Sequence, residues 1–147
     1  MKKRININAL EPNAYQSMLG LEKYSSSIDL EPSLKELVKI RASQVNGCAY
    51  CIQMHTEQAR KQGETEQRIY ALSVWKESPL FSNKERSILA LTEEVTRISV
   101  QGLSKATYEN ALEHLGERKL AQSIMLIVIS NAWNRIAVST NMQHERR

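Results

Sequence analysis

Glycine and proline punctuate this chain and hardly enter its interior stretches. The 147 residues hold five Gly and three Pro, mostly where stretches of helical periodicity begin or end. Between them apolar side chains recur at three- and four-residue spacing, the mark of one face of a 3.6-residue helix. No Asn-Gly or Asp-Gly pair is flanked by alternating apolar residues, so the hairpin signature is missing. Asn46-Gly47 lies between two helical patterns and reads as a helix C-cap. The expected fold class is all-α: a compact bundle of about seven helices, forming a single domain over residues 1–147.

The expected helices cover about residues 12–25, 32–45, 48–63, 65–75, 82–98, 105–115 and 117–140. Pro32 suits a first helical turn. Ser82-Asn83-Lys84-Glu85 matches a capping box. Leu34, Leu37, Val38, Ile40 and Val45 share one arc of about 160° at 100° per residue. Gly47, Gly63, Gly102 and Gly116 each close a segment. The last segment would be about 36 Å long. It holds the run IMLIVI at 124–129, apolar on every side, which predicts burial all round. A second subunit is the expected cover.

The net charge of +4 resides in the ends. Lys2, Lys3, Arg4, Arg146 and Arg147, set against Glu145, account for all of it, and the remainder is balanced. A nucleic-acid-binding face needs a localised basic excess in the folded part. None is present, so no nucleic-acid partner is expected. No apolar stretch follows the basic start MKKRININALEP, so no secretory signal is read there. A bilayer span needs about 20 apolar residues, and the run at 124–129 has six. No membrane partner is expected, and the expected location is the cytoplasm, where thiols stay reduced unless they are working.

The two cysteines are only three residues apart, in GCAYCIQMH at 47–55. A chain of this size buries roughly 68–70% of its unfolded surface and needs no disulfide staple. On a helix starting at about residue 48, Cys51 lies about 60° around the axis from Cys48, and His55 about 20°. Cys51 and His55 form an i, i+4 pair whose side chains can meet. A helix N-terminus favours a thiolate, and Cys-X-X-Cys pairs have lowered thiol pKa values. These residue types support redox chemistry in which one thiolate takes up an oxidant as a sulfenic acid, and the other condenses with it. His55 can relay protons, and an external dithiol would reduce the disulfide. That chemistry requires no cofactor and no metal. Zinc binding is an alternative, but the usual second Cys or His pair of a structural site is missing. Inert, buried cysteines are another alternative.

Glu36 precedes Cys48 by twelve residues and sits about 40° beyond Ile40, at the edge of the apolar arc. Taken alone, an edge glutamate reads as part of a solvated face. The combination of Glu36, eleven residues and then Cys-X-X-Cys-X-X-X-His resembles the signature of the alkyl hydroperoxidase D-like (AhpD-like) group. That group belongs to the carboxymuconolactone decarboxylase superfamily. Arg41-Ala42-Ser43, Asn46-Gly47, Gly63 and Asn131-Ala132-Trp133-Asn134-Arg135 agree with it, and the resemblance covers about residues 10–140.

The resemblance implies an all-helical AhpD-like fold, assembled as a homo-oligomer, trimer or hexamer. It implies reduction of organic hydroperoxides, with Cys51 as the peroxidatic thiol, Cys48 as the resolving thiol, and Glu36 and His55 as the proton relay. It implies a dithiol electron donor, such as a lipoyl protein. The decarboxylase branch lacks the cysteine pair, which disfavours lactone decarboxylation. The family's best-known member has a histidine where this chain has Tyr50. Tyrosine, with a pKa of about 10, relays protons poorly at neutral pH. A redox-responsive helical oligomer, with the disulfide as a switch, is the non-enzymatic alternative.

Overall fold

The computed structural model describes residues 4–144, and among these every regular element is helical. The elements are α1 (Ile7–Leu10), α2 (Pro12–Ser27), α3 (Pro32–Asn46), α4 (Ala49–Lys61), α5 (Glu66–Ala71), a 3₁₀ turn (Leu72–Val74), α6 (Asn83–Thr96), α7 (Ile98–Gln101) and α8 (Lys105–Ser139). The all-α expectation is met, and each of the seven expected segments has its helix. The basic residues 2, 3, 146 and 147, and Glu145, lie outside the described residues.

Local chemistry sets the boundaries. Pro12 and Pro32 open α2 and α3, where a missing N–H costs nothing. The Ser82 side chain accepts from Glu85 N–H and the Glu85 carboxylate from Ser82 N–H, so the capping box forms as expected. Gly116 divides α8 with φ 73° and ψ 165°, so its two arms correspond to the two last expected segments.

Helix α3 is central, packing on α4, α6 and α8. Its wide apolar arc serves two cores. Leu34 and Val38 meet Ile88, Leu91, Leu126 and Ile127. Leu37 and Ile40 meet Leu72, Trp75, Phe81 and Leu89. Polar links reinforce the second core. Glu93 Oε1 accepts from Arg41 Nε at 2.9 Å, Arg41 Nη2 at 2.7 Å and Trp75 Nε1 at 2.8 Å, and Lys76 Nζ stands 3.0 Å from Oε2.

The run at 124–129 is covered on one side only within the single chain. Leu126, Ile127 and Ile129 are buried, but Met125 and Val128 are 38% and 47% exposed. The bundle covers one side of α8 and leaves the other open within a single chain. No described helix is long and apolar enough to cross a membrane.

Candidate active site around the cysteine pair

Two helices meet at the cysteines without a loop. Gly47 closes α3 in the left-handed region at φ 65°, a conformation that a side chain would strain. Its N–H returns to Gln44 O at 3.3 Å, and Cys48 N–H to Ser43 O at 3.0 Å, the paired bonds of a Schellman turn. Cys48 then serves as the N-cap of α4. Its backbone is extended, φ −91° and ψ 92°, and its Sγ accepts from Cys51 N–H at 3.3 Å. Cys48 therefore lies just outside the first turn in which the helical-wheel reading placed it, because the glycine turn delays the new helix by one residue.

Cys48 and Cys51 are joined as a disulfide, with Cα atoms 5.3 Å apart. Both are buried, packed with Ala137 of α8 and against Tyr50 and Met142. Amides hold this corner to the long helix. Asn46 Nδ2 donates to Asn131 Oδ1 at 3.0 Å and to Asn134 Oδ1 at 2.9 Å. Asn134 Nδ2 donates in turn to Ser43 Oγ at 3.1 Å, and Asn131 Nδ2 to Thr96 Oγ1 at 2.9 Å. With buried amides satisfied in this way, the end of α3 is fixed to α6 and α8.

Glu36 is buried, which corrects the solvated-face reading of its position. Its side chain is 6% exposed, and its two oxygens have separate partners. Oε2 faces His55 Nδ1 at 3.2 Å, and Oε1 faces Lys39 Nζ at 3.5 Å. An ionised carboxylate can only accept, so Nδ1 carries the hydrogen. In the neutral ring Nε2 is then the acceptor, free to take a proton from another group. Burial pushes the Glu36 carboxyl up, but the hydrogen bond from His55 and the charge on Lys39 outweigh it, holding it below its ordinary value of 4.5. A buried, ionised carboxylate behind a histidine orients the ring and fixes which nitrogen carries the hydrogen.

A cavity of about 240 Å³ opens beside this group, enclosed mainly by apolar side chains of α2, α4 and α8. Cys51, Tyr50, Met54 and His55 line it from α4, and Trp133 closes it from α8. Among the described residues on its wall, Cys51 is present and Cys48 is absent. The structure thus brings all four sequence-predicted residues, Glu36, Cys48, Cys51 and His55, to one corner of the bundle. Three residues were missed by sequence reasoning: Lys39, Glu22 and Trp133. The i, i+3 spacing of Glu36 and Lys39 was a usable signal for the first. Glu22 comes from a distant helix and carried none, while Trp133 stood within the 131–135 motif of the resemblance but nothing there pointed to the cavity.

A helical bundle with a Cys-X-X-Cys disulfide, a buried carboxylate–histidine pair and an adjoining apolar cavity is compatible with a redox role. The chain belongs to the carboxymuconolactone decarboxylase family, whose model matches residues 12–94, and is an AhpD-like member of that superfamily. It is 39% identical over 139 residues to the uncharacterised protein YdfG of Bacillus subtilis, an alignment covering 95% of each chain. It is similar to the crystal structure of a protein of unknown function from Agrobacterium tumefaciens, provisionally described as the antioxidant defence protein AhpD. The TM-score is 0.97 at 37% identity, covering 99% of this chain and 100% of that one. The debrominase Bmp8, solved with 2,3,4-tribromopyrrole, shares the fold with a TM-score of 0.83 at 19% identity, over 93% of this chain and 73% of its own.

Proposed function

We propose that the protein is a thiol-dependent peroxidase that reduces organic hydroperoxides through Cys51 and Cys48, with Glu36 and His55 as its proton relay. The observation that carries this reading is the shared wall. Cys51 and His55 line one apolar cavity, Glu36 lies directly behind His55, and Cys48 sits within disulfide reach.

In the reduced protein His55 Nε2 takes the Cys51 proton, and Glu36 stabilises the imidazolium that results. The thiolate attacks the outer oxygen of the hydroperoxide. The O–O bond breaks, and the departing alkoxide takes a proton from the imidazolium and leaves as an alcohol. Cys51 is now a sulfenic acid. The Cys48 thiol attacks its sulfur, water leaves, and the disulfide forms. A dithiol donor, a lipoyl protein being one suitable kind, then exchanges with the disulfide and is itself oxidised to a disulfide. A cavity this apolar favours a hydroperoxide with a hydrocarbon body. The exposed Met125 and Val128 face of α8 suits a homo-oligomer, trimer or hexamer, in which a partner covers it.

The test uses reduced protein and cumene hydroperoxide, followed by intact mass and free-thiol count. One equivalent of peroxide is expected to remove both thiols and the mass of two hydrogens. With dihydrolipoamide supplied, many equivalents should then be consumed. A single oxidation without turnover would replace the enzyme by a redox-responsive switch. Thiols that persist for hours would remove the redox reading altogether.

A further inference from the structure

Lys39 stands on the wall of the cavity with no part in the steps above. It lies one turn beyond Glu36 on α3, with a side chain 13% exposed. Its ammonium bridges two carboxylates from different helices, Glu36 Oε1 at 3.5 Å and Glu22 Oε1 at 3.6 Å. Glu22 is fixed in turn, since Oε2 accepts from Trp133 Nε1 at 3.1 Å and Oε1 from Ser25 Oγ at 3.3 Å. Glu22, Lys39, His55 and Cys51 all face the same cavity. An exposed i, i+3 pair on a helix contributes little. This pair is withdrawn from water, and it occupies the Glu36 oxygen that His55 does not use.

Resting on the relay reading, we propose that Lys39 is a positioning residue. It pins one oxygen of Glu36 so that the other stays on His55, and its charge sets the pH at which Cys51 becomes reactive, with Glu22 on α2 as the opposing charge. Removing a positive charge makes every neighbouring acid keep its proton to higher pH, and removing a negative charge does the reverse. The charged and titratable groups facing Glu36 are few. Lys39 is on its own helix, as is Lys35, which donates to Ser26 O at 3.1 Å. His55 comes from α4, and Glu22 comes from α2 through Lys39. Tyr50 of α4 and Tyr15 of α2 share the cavity wall, while the α8 residues lining it carry no ionisable side chain.

The chain has two cysteines, so a Cys48→Ser background leaves Cys51 as its sole thiol. Alkylation of that thiol by iodoacetamide, read by intact mass from about pH 5 to pH 9, gives the midpoint of thiolate formation. Lys39→Met should move the midpoint up by about one pH unit. Lys39→Arg should restore it. Glu22→Gln should move it down, by less, because Glu22 is 37% exposed. A merely structural strut gives no shift, or shifts of the same sign in Lys39→Met and Glu22→Gln, and either result overturns the proposal. His55→Gln separates the two levels. If it leaves the midpoint unmoved, the relay reading falls and this inference with it. If it moves the midpoint while Lys39→Met does not, only the role of Lys39 falls. Should Lys39→Met fail to fold, the Glu22→Gln shift decides, and its absence counts against the proposal.

Discussion

The disulfide is symmetrical in bonding, but the two sulfurs stand in different surroundings. Cys51 lies one helical turn before His55 and lines the cavity; Cys48 caps α4, with its Sγ turned to Cys51 N–H. The asymmetry assigns roles that substitution can separate. With Cys51→Ser, peroxide consumption should fall to background. With Cys48→Ser, the protein should still react once with peroxide and stop, gaining the mass of one oxygen and a dimedone-reactive sulfenic acid. Serine is also a good N-cap, so that variant should keep its fold. Equal loss of the first reaction in both variants would contradict the assignment. The pattern of these residues was legible in the sequence because i, i+4 spacing translates directly into adjacency on a helix. The burial of Glu36 was not. Composition favours exposure for a glutamate at the edge of an apolar arc, and its burial depends on partners from α4 and on Lys39, the latter held in turn by α2. Only the resemblance to a known signature pointed to it.

Two glycines, one at a helix break and one inside a helix, test the same substitution with opposite signs. Gly116 sits at φ 73° and ψ 165°, a region almost reserved for glycine, and a Cβ there would meet no atom within 4 Å. Gly116→Ala therefore probes backbone strain alone and should cost about 1–3 kcal/mol. Gly20 lies inside α2 with ordinary helical backbone and equally open space. Gly20→Ala should stabilise by about 0.5–1 kcal/mol, because alanine loses less freedom on entering a helix. Urea denaturation of the two variants checks both; equal signs would mean that φ is not what decides. Both positions are alike in sequence terms, and only the boundary reading distinguishes them. The longer elements were readable because their stops are local: the capping box at Ser82, the turn at Gly47, the prolines at residues 12 and 32. The four-residue helices α1 and α7 were not, since one turn offers no periodicity to detect. The cap position of Cys48 was missed by one residue for a related reason: the turn geometry at Gly47 fixes where α4 begins.

Across the whole molecule, carboxylates join helices that are distant in sequence. Glu36 links α3 to α4 through His55. Glu85 links α6 to Arg68 of α5. Glu93 links α6 to Arg41 of α3 and to Trp75. Burial works against the charge of each, and hydrogen bonds and cations overcome it, so all three are held below the ordinary value of 4.5. These links were invisible to periodicity, which finds the faces of helices but not the charged contacts between them. Their consequence is directional. With a folded pKa below the unfolded one, the unfolded chain takes up protons first as the pH drops. The stabilisation is whole above about pH 4.5 and is lost as the pH falls through the depressed folded values. Urea midpoints should therefore drop steeply below about pH 4.5. Glu93→Gln should lower the midpoint at neutral pH, because Arg41 and Trp75 lose their charged acceptor. It should also flatten the acid limb, since one fewer site contributes to the proton uptake that accompanies unfolding. The slope of stability against pH counts those protons, at about 1.4 kcal/mol per pH unit for each. An acid limb as steep in Glu93→Gln as in the parent would show that Glu93 is not one of the groups whose ionisation the fold maintains.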